Sequence, residues 1–140
     1  MLKQLLITLS FISIGALSAT HKISGYTFYE AGLTPMAPYT FIFNREGQLV
    51  YLNKGLDQTF ARAIKKNAPL IQTETIKADL AKVIDLPLFN LHDFTLITTT
   101  IDGKCEPCDK QLALFDEILP KLTPLTFHRI TIELDPNRSQ

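Results

Sequence analysis

The run Phe94-Thr95-Leu96-Ile97-Thr98-Thr99-Thr100-Ile101, continued by Asp102-Gly103-Lys104-Cys105-Glu106-Pro107-Cys108, decides how this chain folds. Its first eight residues are β-branched or aromatic apart from Leu96, so they predict a strand. The weak polar alternation suits a central strand covered on both faces. Beyond the cysteines, Leu112, Phe115 and Leu119 recur at helical spacing, and Pro120 and Pro124 forbid extension. A helix therefore begins at or near the CxxC and runs to about Leu119. Residues 125–134 (LTFHRITIEL) read as the last strand. Their apolar phase slips between Phe127 and Ile130, which predicts a bulge or twist near His128. The order is strand, CxxC, helix, strand.

That placement gives the two cysteines their chemistry. Unpaired N–H groups and the macrodipole at a helix N-terminus stabilise an anion. A thiolate at Cys105 then forms more readily than at a free cysteine, and the thiolate is the attacking species. Cys108, one turn on, is expected to be more buried and able to resolve a mixed disulfide. Two residues tune the pair. Pro107 suits the first helical turn, where its missing N–H is no loss. Glu106 opposes thiolate formation by its charge, while Lys104 and Lys110 favour it. A purely structural role is poorly served by this spacing, because so small a loop yields little entropic stabilisation.

Upstream, residues 39–44 (YTFIFN) and 49–52 (LVYL) read as a hairpin around Asn44-Arg45-Glu46-Gly47, with Gly47 free to take positive φ. Asp57 is a candidate cap for a helix to about Lys66, with Leu56, Phe60, Ala61 and Ile64 as its apolar stripe. Residues 68–76 read as irregular, and Ala78 to Ile84 as a short helix stopped by Pro87. Residues 22–29 read as an extended lead-in weakened by Gly25.

The N-terminus bears on compartment. Met1-Leu2-Lys3, an uncharged apolar run from Leu5 to Leu17, and the small residues Ala16, Ser18 and Ala19 have the form of a cleavable signal peptide over residues 1–19. The apolar run falls short of the roughly 20 residues of a permanent span. A single domain over residues 20–140 is expected, exported to the periplasm. The 14 basic and 14 acidic residues nearly cancel, and with Lys3 removed the rest carries a net −1. Basic runs and stripes are missing, so neither nucleic acid nor an anionic membrane is an expected partner.

The stretch Phe94 to Leu134 resembles the first half of a thioredoxin-like domain. Cys105-Glu106-Pro107-Cys108 is similar to the motif of exported thioredoxin-like proteins that reduce apocytochrome c. The family's second half, with its cis-proline, hairpin and closing helix, has no counterpart after residue 134. Residues 36–51 (MAPYTFIFNREGQLVY) resemble it instead, and Gly55 to Lys66 resembles the closing helix. The resemblance thus implies an α/β, thioredoxin-like fold with a central four-stranded mixed sheet flanked by helices and the halves circularly permuted. The alternatives are a domain-swapped arrangement or an unrelated α+β fold. It also implies that Pro38 is cis and packed against the active site, and that Ala37 presents backbone to a substrate polypeptide. Three positions depart from the family. Lys104 stands where Trp is frequent, Thr98 to Thr100 occupy the region of a buried acid, and Gln111 replaces a Glu common in exported reductants with this dipeptide. They weigh against cytochrome maturation more than against redox chemistry.

The function expected is dithiol–disulfide exchange with protein substrates, supplied by a redox partner protein and needing no cofactor. The rival is a thiolate carrier of Cu(I) or zinc using the same cysteines, and a third reading is a redox-inactive interaction domain. A zinc site would need His92 and His128 to converge, and the histidines are scattered with no second CxxC. His128 reads as an ordinary strand residue, and no metal site is expected.

Overall fold

The computed structural model describes residues 18–136. The expected leader, residues 1–19, therefore lies outside the described residues except for its last two, and so does most of the C-terminal tail. Five strands form one mixed sheet: β1 (Ser18–Ser24), β2 (Tyr39–Asn44), β3 (Leu49–Lys54), β4 (Phe94–Ile101) and β5 (Phe127–Asp135). Their order across the sheet is β1-β5-β4-β2-β3. β5 runs parallel to both β1 and β4, whereas β2 is antiparallel to β4 and to β3.

The sheet has five strands rather than the expected four. The added one, β1, covers Ser18–Ser24 (SATHKIS), where the sequence suggested the end of a leader and a weak lead-in. It is an edge strand, largely exposed from Ala19 to Ile23, so it carries no apolar alternation that would announce it. Its support comes from β5, against which it pairs from Ser18↔Arg129 to Ser24↔Asp135. Helix α1 (Gly25–Glu30) follows at once. The Ser24 side chain accepts the Thr27 N–H at 3.0 Å and caps it, and buried Phe28 ties it to the core. Residues 25–29, read as extended, are thus helical.

Helices cover both faces. On one, Phe41 and Phe43 of β2, Ile97 of β4, and Ile130, Ile132 and Leu134 of β5 pack with Phe28 of α1 and with Ile76 and Leu80 of α3 (Thr73–Ala81). On the other, Ile42, Val50, Phe94 and Leu96 pack with Phe60 and Ile64 of α2 (Phe60–Lys66) and with Phe115 of α4 (Glu106–Ile118). Phe60 and Phe115 meet edge to face at 4.8 Å. Each fully buried Phe contributes about 1.5–3 kcal/mol by area alone. β4 is buried from Phe94 to Thr99, as its composition required.

Three local features differ from the sequence reading. Helix α2 starts at Phe60, not after Asp57. The Asp57 carboxylate instead accepts the Thr59 N–H and hydroxyl, making a turn ahead of the helix, and Leu56 stays exposed. Helix α3 begins at Thr73 and ends at Ala81, several residues earlier than expected. The Thr73 hydroxyl donates to the Leu70 carbonyl and accepts the Leu49 N–H, which anchors this start to β3. Finally, β5 has no bulge at His128, since its register with β4 is continuous from Phe94↔Phe127 to Ile101↔Leu134. The apolar phase slips because Phe127 packs on one face of the sheet and Ile130, Ile132 and Leu134 on the other. The register shift in the sheet falls between Ile42 and Phe43 on β2.

Candidate functional site: the Cys105–Cys108 pair at one end of the sheet

The C-terminal ends of β1, β4 and β5 and the N-terminal end of β2 share one edge of the sheet, because β2 alone of these runs antiparallel. From that edge β4 leaves through Asp102, whose N–H donates to the Leu134 carbonyl at 3.0 Å. Gly103 follows at φ +101°, a conformation L side chains resist, and turns the chain into α4.

Cys105 is the N-cap of α4, in extended backbone, and Cys108 lies in its first turn. The two form a disulfide, with the Cα atoms 5.2 Å apart. The Cys108 N–H donates to Cys105 Sγ at 3.3 Å, so a first-turn amide is aimed at the sulfur the sequence singled out. Cys108 is buried and Cys105 half-buried. Cys105 is thus the more open of the two. Pro107 occupies the first turn, as its missing N–H allows. Glu106 pairs with Lys110 at 3.0 Å, one turn along. Both side chains are largely exposed, so their charges are screened by solvent.

The Ala37–Pro38 peptide is cis, the geometry the resemblance implies. Pro38 is buried and Ala37 half-buried. The β2–β4 register, Thr40↔Thr98, carries this dipeptide toward the end of β4 from which the CxxC loop departs. What holds it there is Thr99, a residue that no motif in the chain singles out. The buried Thr99 hydroxyl accepts the Tyr39 N–H at 2.9 Å and donates to the Met36 carbonyl at 2.6 Å. One side chain of β4 therefore clamps both ends of the Ala37–Pro38 turn.

A second clamp uses Gln111. Its side chain is buried on the inner face of α4, and it makes a paired contact with the backbone of Asp57. Nε2 donates to the Asp57 carbonyl at 2.9 Å, and Oε1 accepts the Asp57 N–H at 2.8 Å. A glutamate there could accept the N–H but would present a second acceptor to the carbonyl. The amide is the form that fits both groups. Burial pushes the Asp57 carboxyl up, but hydrogen bonds from the Tyr51 hydroxyl, the Thr59 side chain and the Thr59 and Gln58 amides outweigh it and hold it below its usual value. Burial and this same carboxylate push the Tyr51 phenol far above its ordinary value.

Beside the cysteine end of the sheet lies an apolar groove of about 380 Å³ lined by Tyr26, Tyr29, Pro35, Ile101 and Leu134. Tyr26 and Tyr29 are both exposed.

His92 and His128 do converge, against the reading that scattered them. Their ring centres are 5.3 Å apart. Parallel pairing brings them together, with His128 opposite Thr95 at the start of β4. From Thr95 to Ile101 the strand advances about 20 Å, at about 3.3 Å per residue. The histidines thus stand at the end of β4 opposite the cysteines, too far away to share an ion with them. No family model matches this chain, and no match was found among curated proteins or solved structures.

Proposed function

We propose that this chain is an exported thiol–disulfide oxidoreductase acting on protein substrates, with Cys105 as the attacking thiol and Cys108 as the resolving one. The observation that carries this reading is the asymmetric disulfide at the start of α4. Cys105 is half-buried and its sulfur receives a backbone N–H, and Cys108 is buried. In the reduced protein that N–H favours a Cys105 thiolate. The thiolate attacks a substrate disulfide, forms a mixed disulfide and releases one substrate thiolate. Cys108 then loses its proton and attacks Cys105 Sγ, closing the internal disulfide and releasing the second substrate thiolate. Two electrons pass to the substrate, and a redox partner must return them. The reverse sequence oxidises a dithiol.

The fold that best accommodates this chemistry is a thioredoxin-like domain with its halves in permuted order. Three features support that reading. β4 and β5 are parallel and joined through the CxxC helix, β2 is antiparallel to β4 and opens at a cis-proline, and the β2–β3 hairpin leads to α2. β1 adds a fifth strand outside β5. In this reading Ala37 and Pro38 offer their backbone to an extended substrate, and the adjoining groove takes an apolar side chain. Export to the periplasm rests on the signal-like residues 1–19.

The test is Cys108→Ser in the cells that export the protein. It keeps the attacking thiol and removes the resolving one, so mixed disulfides through Cys105 should accumulate and disappear on reduction. A folded Cys108→Ser protein that traps no partner would sink the proposal.

A further inference from the structure

The two converging histidines have no part in the thiol chemistry and sit at the far end of the sheet. We propose that His92 and His128 form an exchangeable site for a borderline divalent metal ion of the zinc type, separate from the cysteine pair.

Geometry is the first ground. An ion bonded at about 2.0–2.1 Å to one nitrogen of each of two imidazoles, at a tetrahedral angle, places the ring centres about 5.2 Å apart. The observed separation is 5.3 Å, with the rings tilted by 37°. The backbone beside each ring is already held, since His128 pairs with Thr95 and Asp93, next to His92, accepts the Thr126 N–H.

The second ground is an unused atom. Nδ1 of His92 is buried and has no hydrogen-bond partner in the protein. Buried polar atoms are nearly always paired, and a neutral imidazole nitrogen without a donor offers its lone pair to a cation. The nearby carboxylate is otherwise occupied. Asp93 Oδ2 accepts the Thr126 N–H at 2.8 Å and the Thr126 hydroxyl at 3.1 Å, and Oδ1 faces Arg45 at 3.9 Å. Asp93 therefore neither ion-pairs with the imidazoles nor competes for them.

The third is the chemistry of the donors. Imidazole donors favour Zn, Cu and Ni over Mg or Ca.

Among the described residues no third His, Cys, Asp or Glu joins the pair in one cluster. Water would complete the shell, so the site differs from the closed four-ligand sites that hold structural zinc. An ion there is bound loosely and can be passed on.

The experiment is a Zn(II) titration of the oxidised protein followed by the ring-proton NMR signals of its three histidines. With Cys105 and Cys108 in their disulfide, neither is available as a ligand. The signals of His92 and His128 should move together and saturate at one ion per chain, while His21 stays still. His92→Gln and His128→Gln should each weaken binding at least tenfold, and a Cys105→Ser/Cys108→Ser protein should bind as the parent does. Signals of His92 and His128 that stay still or move separately would overturn the proposal. So would a zinc affinity that survives either histidine substitution. Since the wild-type titration decides the matter alone, poor folding of a variant does not rescue it.

Discussion

Replacing Thr99 by Val tests whether the clamp on Ala37–Pro38 is as important as its geometry implies. The substitution keeps the β-branched shape, which suits a strand, and removes only the hydroxyl. It deprives the Tyr39 N–H, bonded at 2.9 Å, and the Met36 carbonyl, bonded at 2.6 Å, of this partner. The Tyr39 bond is buried, so its orphaned donor should cost about 1–3 kcal/mol. Met36 is half-buried and water can reach it, so that loss is nearer about 0.5–1 kcal/mol. Together they come to roughly 1.5–4 kcal/mol, a large part of the 5–15 kcal/mol that holds a domain folded. With a urea dependence of about 1.5 kcal/mol per molar, the unfolding midpoint should fall by about 1–2.5 M. The same strand supplies the control. Thr95 is equally buried, but its hydroxyl has no hydrogen-bond partner in the protein. Thr95→Val removes an unpaired polar atom and should be neutral or stabilising. If Thr99→Val proves no more costly than Thr95→Val, the clamp contributes nothing and the reasoning fails.

Gln111→Glu should destabilise the folded protein by about 1–3 kcal/mol at neutral pH, because the carboxylate faces the Asp57 carbonyl. Acidification, which returns a donor, should shrink that loss relative to wild type in urea unfolding. Phe115→Ala should cost about 3–5 kcal/mol by emptying the space against Phe60, measured the same way. For His128, the folded protein binds a proton less readily than the unfolded chain. Its contribution is therefore complete above the unfolded value, about 6.5, and is lost as the pH falls from there toward the folded value. Thermal melts between pH 7.5 and 5.5 should show a steeper decline for wild type than for His128→Gln.

Much of the sheet was legible because its signals are local. The β-branched run of β4, the hairpin around Gly47 and the periodic Leu112, Phe115 and Leu119 of α4 each lie within a few residues of one another. Two proline-bounded ends and a CxxC between strand and helix then set the order of β4, α4 and β5. What was hidden depends on distant partners. β1 has little apolar character and exists by pairing with β5. The Thr99 and Gln111 clamps join residues more than 50 positions apart. His92 and His128 meet only because β4 and β5 run parallel, a contact that spacing along the chain cannot show. Phe127 misled for a related reason. On a strand covered on both faces, an apolar residue out of phase belongs to the opposite layer of helices rather than to a bulge.

The equilibrium reduction potential of the Cys105–Cys108 pair, measured against glutathione or a dithiol buffer, tests the central claim most directly. An oxidoreductase should show a reversible two-electron couple within the range of known exchange catalysts, about −120 to −270 mV. A pair that resists reduction below about −300 mV, as structural disulfides do, or that shows no reversible couple, would contradict the account.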